Sequence, residues 1–464
     1  MIGRNVELLG STAQLPEQEQ HLDLHQLLIL PVKLAKRFSV FALAVTLATC
    51  MYAQRFEDYF DDATLRLDYT FCGNLKGTTI SLDKLNRIPR WYGKRQRLAE
   101  VPMEGNGQII VRSRKDNTVI YRNSFSTLYQ EWLTTTEAES VSKSFENVFL
   151  MPMPKDTVEV TVCLTDNRRQ VMATMSHTVV PTDILIRHIG ERDVTPYDVV
   201  WQPADTACCI HIAYIAEGYT EDEMDTFLED VDIANEALFA HEPFKSLKDR
   251  FEVVAVKAAS EESGTSEPAN GIWRRTALGS HFNTFYNDRY LTTANLRRLH
   301  DLLAGIPYEH IIVLVNTSHY GGGGILNSYN LSMTHHPKFR PVVVHEFGHS
   351  FAGLADEYAH ENEPIPMYPA DVEPWEKNIT TKVDFRGKWE NLIKEEKEVS
   401  TGKKKAENAE PRVGFFEGAG YSLHGVYRGC EDCRMRTNEN PEFCPVCRQA
   451  ITEVVDFYTK TSAR

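Results

Sequence analysis

His310-Ile-Ile-Val-Leu-Val-Asn316 is apolar on both faces of an extended chain. A strand of that kind is covered on both sides and belongs at the centre of a sheet. Upstream, Phe251-Glu-Val-Val-Ala-Val256 and His211-Ile-Ala-Tyr-Ile-Ala216 read as two further buried strands. Between them, Thr220-Glu-Asp-Glu223 has the spacing of a capping box, in which Thr and Glu each satisfy a backbone donor at a helix start. Met224, Phe227, Leu228 and Val231 follow at i, i+3, i+4 and i+7, one apolar face of a helix. Strands alternating with helices from about residue 189 predict an α/β layer architecture.

Downstream of the central strand runs Tyr320-Gly-Gly-Gly-Gly-Ile-Leu-Asn-Ser-Tyr-Asn-Leu-Ser-Met333. No Lys-Ser/Thr follows the glycines, so they do not form a phosphate-binding loop. They read as a flexible turn into an edge strand across 326–333, beside which an extended substrate can pair.

Pro341-Val-Val-Val-His-Glu-Phe-Gly-His-Ser-Phe-Ala-Gly-Leu-Ala-Asp-Glu-Tyr358 comes next. Residues four apart on a helix lie one above the other, so His345 and His349 can both reach one Zn²⁺ at about 2.0–2.1 Å. Glu346 points too far round to ligate easily but is well aimed at a water activated by the metal. Its expected role is general base, then proton donor to the leaving amine. The stretch resembles the metzincin peptidases, whose helix ends at a Gly with a ligand three residues on. Gly353 and Asp356 keep that interval, although His349 to Gly353 is one residue longer than their pattern. The resemblance makes Asp356 the third ligand, with Glu357, His424 or Glu417 as alternatives. An acid that does not ligate would support a ligating His. Met435 falls where metzincins carry a methionine beneath the zinc, and Tyr427 or Tyr421 could donate to the oxyanion of the tetrahedral intermediate. Tyr427 is taken as the candidate.

Cys430-x-x-Cys433 and Cys444-Pro-Val-Cys447 have the spacing of a zinc ribbon. An oxidising destination and the position of Met435 within the loop favour disulfides over a second, structural zinc.

That destination is read from the N-terminus. Lys33-Leu-Ala-Lys-Arg37 precedes an apolar run of about a dozen residues and then small residues to Ala53, the pattern of an export signal. The run is short of the ~20 residues of a membrane span. Residues 1–53 therefore read as an export signal with a long leading region, cleaved near Ala53, which places the mature chain in the periplasm, at the cell surface or outside the cell. Leu47-Ala-Thr-Cys50 is a poor lipidation site. The chain has 464 residues, with 50 basic against 65 acidic and a net charge of −15. Such a surface does not suit nucleic acid or an anionic membrane, which reward clustered Lys and Arg.

Residues 54–188 read as a β-sandwich. Thr79-Ile-Ser-Leu82, Gln108-Ile-Ile-Val-Arg112, Val119-Ile-Tyr121, Val158-Glu-Val-Thr-Val-Cys163 and Val171-Met-Ala-Thr-Met175 are short runs separated by turn signals. No catalytic constellation is visible there. Residues 387–412, rich in Lys, Glu and Ser, read as an exposed insertion in a catalytic domain spanning 189–464.

From about residue 55 to the end the chain resembles the IgA-specific metallo-endopeptidases, a family of exported bacterial zinc peptidases. The residues carrying this are His345 to Tyr358 above, Thr276-Ala-Leu-Gly-Ser-His-Phe-Asn-Thr-Phe-Tyr-Asn-Asp-Arg-Tyr-Leu-Thr-Thr293, Gly414-Phe-Phe-Glu-Gly-Ala-Gly-Tyr421 and Phe443-Cys-Pro-Val-Cys447. The resemblance implies a β-rich domain before a metzincin-like one, a catalytic zinc and a protein or peptide substrate. It does not imply that IgA is that substrate, because the specificity pocket is separate from the chemistry. A zinc amidase acting on cell-wall peptide, and a non-catalytic binding protein with a structural zinc, are the rival expectations. The intact Glu346 speaks against the second, since a structural site needs no base.

Overall fold

Eight strands form in the first part of the chain: β1 (Phe60–Asn74), β2 (Gly77–Ile88), β3 (Gly107–Ser113), β4 (Val119–Phe125), β5 (Lys143–Pro154), β6 (Val158–Thr165), β7 (Val171–Val179) and β8 (Arg187–His188). They make two four-stranded sheets, ordered β5-β1-β2-β8 and β4-β3-β6-β7. Alternation drives the arrangement. In β6, Val158, Val160, Val162 and Leu164 are buried while the residues between them are half-exposed. These side chains share one apolar core with Leu65, Leu67, Tyr69 and Phe71 of β1 and with Ile109 and Val111 of β3. The computed structural model describes residues 54–204, 206, 208–360, 367–393 and 411–460. The expected export signal, with Cys50, lies outside the described residues.

A mixed six-stranded sheet follows, ordered β13-β14-β12-β10-β11-β9. Its members are β9 (Tyr197–Trp201), β10 (Ile210–Glu217), β11 (Phe251–Val256), β12 (His310–Val315), β13 (Gly322–Ile325) and β14 (Tyr329–Met333). β11, β10, β12 and β14 are parallel, and the two edges, β9 and β13, run antiparallel to their neighbours. β10, β11 and β12 are buried along their whole lengths, as their unbroken apolar runs require. On one face pack α2 (Met224–Ala240), α4 (Phe339–Ala352) and α5 (Pro445–Thr459), and α3 (Leu296–Leu302) contributes to the core of the other. The Glu223 carboxylate accepts the Thr220 N–H at 2.8 Å, completing the expected capping box ahead of α2. A small sheet of β15 (Ile379–Thr380), β17 (Ser422–Arg428) and β16 (Phe416–Ala419) lies between α4 and α5 in sequence.

The two regions belong to one compact unit, residues 54–464. Leu128, from the short helix α1 (Leu128–Trp132), and Val148 of β5 lie in the same core as Ala213 and Ile215 of β10. Most of the expected insertion, 394–410, lies outside the described residues. Its described beginning is mixed: Gly387, Glu390 and Asn391 are exposed, whereas Trp389 is 1% exposed and donates from Nε1 to Gly414 O at 3.0 Å.

Candidate metal centre

α4 offers one face to the core and the other to a cleft. Val343, Val344, Phe347 and Phe351 join the apolar core, leaving His345, Glu346 and His349 only partly buried. Gly353 ends the helix in the left-handed region (φ 57°, ψ 33°), and its N–H bonds His349 O at 3.0 Å. A Cβ there would lie 2.6 Å from the Trp375 ring, so both conformation and space call for glycine. The turn brings Asp356 back to the histidines.

Three donor atoms meet. His345 Nε2 and His349 Nε2 are 3.0 Å apart, and Asp356 Oδ1 lies 3.1 and 3.3 Å from them. Metal–ligand bonds of about 2.0–2.1 Å in a tetrahedron separate neighbouring donors by about 3.3–3.4 Å, so the triangle has the size of a zinc face. The protonation pattern agrees. His345 Nδ1 faces Arg434 O at 3.0 Å, and His349 Nδ1 faces Leu354 O at 2.5 Å. A carbonyl only accepts, so each Nδ1 carries the hydrogen and each Nε2 presents a lone pair. Two lone pairs and a carboxylate oxygen repel unless a cation sits among them. Asp356 Oδ1 is also buried without a hydrogen-bond donor. The donor set therefore fits zinc.

The electrostatics point the same way. Burial raises the Asp356 carboxyl, but the His349 and His345 imidazoles outweigh it and hold it well below the usual carboxylate range. Burial disfavours the His349 cation, yet Asp356 pushes its pKa up to about 9. A field that favours a proton there also favours a metal cation. Tyr421 Oη donates to Asp356 Oδ2, fixing the carboxylate from behind.

Glu346 leans against the glycine strand: a Cβ on Gly322 would lie 2.8 Å from its Oε1. Burial pushes its carboxyl upward, and the two imidazoles pull it back. Met435 is fully buried, with its sulfur 2.8 Å from where a Cβ on Gly348 would be. It packs under α4 as the resemblance implies.

Several expectations are corrected. Tyr427 does not join the donors: the Lys382 ammonium lies 3.3 Å from its ring centroid, and its hydroxyl bonds Glu417. His424 and Glu417 pair with each other at 3.6 Å, His424 being 86% exposed, so neither is a ligand. Glu357 points to a different set of neighbours. The described cysteines, Cys430, Cys433, Cys444 and Cys447 among them, are free thiols, so the favoured disulfides do not form. The 326–333 segment is not an edge either, because β14 lies between β13 and β12. The edge is the glycine run itself, and it is partly occupied. Gly322 bonds Arg289 O and Leu291 N, and Leu326 O accepts the Ser126 N–H.

Two residues near the centre escaped the reading of the sequence. Glu131 of α1 takes a hydrogen bond from Tyr290 Oη and lies within electrostatic reach of His349, Glu346 and Asp356. A signal existed: Thr127 caps α1 by accepting the Gln130 N–H, a Thr-x-x-Gln pattern that marks a helix start.

Comparison with protein families gives two matches. The family described as IgA Peptidase M64 matches residues 200–410 and 404–455, and Peptidase M64 N-terminus matches residues 55–176. No curated protein matches the chain. With more than half its length matched, the chain belongs to the IgA Peptidase M64 family, the metallo-endopeptidases that hydrolyse peptide bonds.

Proposed function

We propose that the mature chain is an exported zinc endopeptidase in which His345, His349 and Asp356 hold the metal and Glu346 is the general base. In this reading residues 54–188 are a β-sandwich carrying a metzincin-like catalytic domain, residues 189–464. The observation that carries it is the donor triangle: two imidazole lone pairs and an orphaned carboxylate oxygen, with a non-ligating carboxylate next along the helix.

Zinc bound there supplies a Lewis acid for the scissile carbonyl and lowers the pKa of the attacking water. The rest falls to the chain's own groups. Glu346, its carboxyl raised by burial, accepts the water's proton and returns it to the leaving amine, as a base with a pKa nearer neutrality does well. Arg434 O and Leu354 O hold the imidazoles in the ligating tautomer, and Tyr421 holds Asp356. Gly324, between the two occupied positions of the edge, is where a substrate amide can approach β13. Export is supported by the basic flank and apolar run before Ala53, and N-terminal sequencing of the mature protein tests it. A first residue well upstream of Ala53 would overturn it.

Glu346→Gln tests the mechanism. The variant should hold zinc and melt as the parent does, while peptide cleavage falls by about 10²–10⁴-fold, the loss typical of a missing general base. Cleavage at near the parental rate would defeat the assignment.

A further inference from the structure

Glu357 follows Asp356 directly, is fully buried, and reaches a second cluster of donors. Its Oε1 lies 3.0 Å from Cys447 Sγ, and Cys447 Sγ lies 3.7 Å from Cys433 Sγ. With Cys444, the four donors all fall within 4.8 Å of one another. Zinc–sulfur bonds of about 2.3 Å place neighbouring sulfurs about 3.8 Å apart, whereas a disulfide brings them to about 2.05 Å. The observed spacing matches the first. Glu357 Oε2 is a second sign, being buried with no hydrogen-bond partner. An unpaired carboxylate among thiols in a core is costly unless a cation balances it.

We propose that Glu357, Cys433, Cys444 and Cys447 hold a second, structural zinc. The ribbon spacing nominates Cys430, but Cys430 stands outside the group of four, and the carboxylate takes the fourth place. Three thiolates and a carboxylate carry four negative charges against two on the ion. The surroundings relieve the excess. The Cys444 N–H donates to Cys433 Sγ at 3.2 Å, and Asn378 Nδ2 donates to Glu357 Oε1 at 3.0 Å. The Arg428 guanidinium is within electrostatic reach of Glu357, and that of Arg434 of Cys433.

The site braces the first centre from behind. The segment that starts at Cys433 supplies Arg434 O, which orients His345, and Met435, whose carbonyl accepts the Glu357 N–H at 2.8 Å. Consecutive residues, Asp356 and Glu357, thus serve different ions. This assignment does not depend on Glu346 acting as a base.

Metal analysis and zinc X-ray absorption on the intact protein test it. The parent should hold about two zincs and show a sulfur shell at about 2.3 Å, which the sulfur-free centre of His345, His349 and Asp356 cannot produce. His349→Ala leaves the cysteines untouched, and should keep one zinc whose shell is richer in sulfur. Cys447→Ser should keep one zinc with nitrogen and oxygen neighbours only. Cys430→Ser should keep both ions, while Glu357→Ala should lose one. The proposal falls if the parent lacks a sulfur shell, or if His349→Ala holds no zinc. It also falls if mass spectrometry after thiol blocking finds Cys433, Cys444 or Cys447 in disulfides. Loss of an ion in Cys430→Ser with none lost in Glu357→Ala would overturn the fourth ligand. Two zincs in His349→Ala would instead sink the first centre and leave this one standing.

Discussion

Asp356 divides its oxygens between two tasks: Oδ1 faces the imidazoles and Oδ2 takes the Tyr421 hydroxyl. Removing such a supporting bond typically weakens metal binding by about 10–100-fold. Tyr421→Phe should show that loss against a chromophoric zinc chelator, with unfolding little changed. Unaltered affinity would leave Tyr421 as mere packing. The histidines were legible because helix geometry ties a four-residue spacing to a shared face. The choice between Tyr421 and Tyr427 was not. Tyr421 has φ 64° between β16 and β17, outside the strand alternation that would tell where its ring points. The destination of Glu357 was hidden as well, since the cysteines around it lie 76 or more positions further on in sequence.

β13 shows how an element can be recognised and still be misplaced. The glycines were read as a turn, with the edge assigned to the residues after them. Glycine is depleted in strands, and no sequence pattern reports that a helix will lie against one. Gly324 accounts for the composition: a Cβ there would sit 2.4 Å from Glu346 O and 3.0 Å from His349 Cβ. Backbone on one side and the root of the His349 side chain on the other cannot yield cheaply. Gly324→Ala should destabilise by about 1–3 kcal/mol and lower cleavage more than stability alone explains. Gly77→Ala, with nothing within 4 Å, is the control and should melt almost as the parent does; equal shifts for the two would refute the packing argument. Among the N-terminal strands, the five quoted runs all fall within strands, while β1, β5 and the two-residue β8 were overlooked. β1 alternates apolar and polar from Ala63 to Phe71, so its signal was present in the sequence; what the alternation does not report is that its polar positions, Arg66 and Asp68 among them, are buried as well.

At the scale of the whole molecule, those buried charges join the regions. Arg66 pairs with Asp68 at 2.7 Å, reaches Asp301 at 2.6 Å, and donates to Arg297 O of α3 at 3.0 Å. Arg66→Met would leave Asp68 buried without its cation, which should cost about 3–5 kcal/mol in denaturant unfolding. A loss under 1 kcal/mol would mean that the regions hold together without it. His211 supplies a pH signature. Burial disfavours its charge, but bonds to Cys209, Glu252 and Glu309 prevail and push its pKa up to about 12. The folded value exceeds the unfolded one of about 6.5. The stabilisation is therefore complete below about pH 6.5 and declines as pH climbs toward about 12. Melting curves of the parent and His211→Gln should differ most near pH 6, and the gap should narrow steadily as the pH is raised to 10; a constant gap would show that His211 does not titrate in this way.

The glycine edge bears on how this enzyme could change its diet. From Gly322 to Gly324 the wall beside Glu346 is bare main chain, and main chain looks the same to every peptide. Discrimination among substrates cannot be written there, because a side chain at Gly322 meets the Glu346 side chain and one at Gly324 meets the backbone of the helix that carries His345 and His349. New preferences must arise elsewhere around the centre, while this wall stays indifferent to sequence.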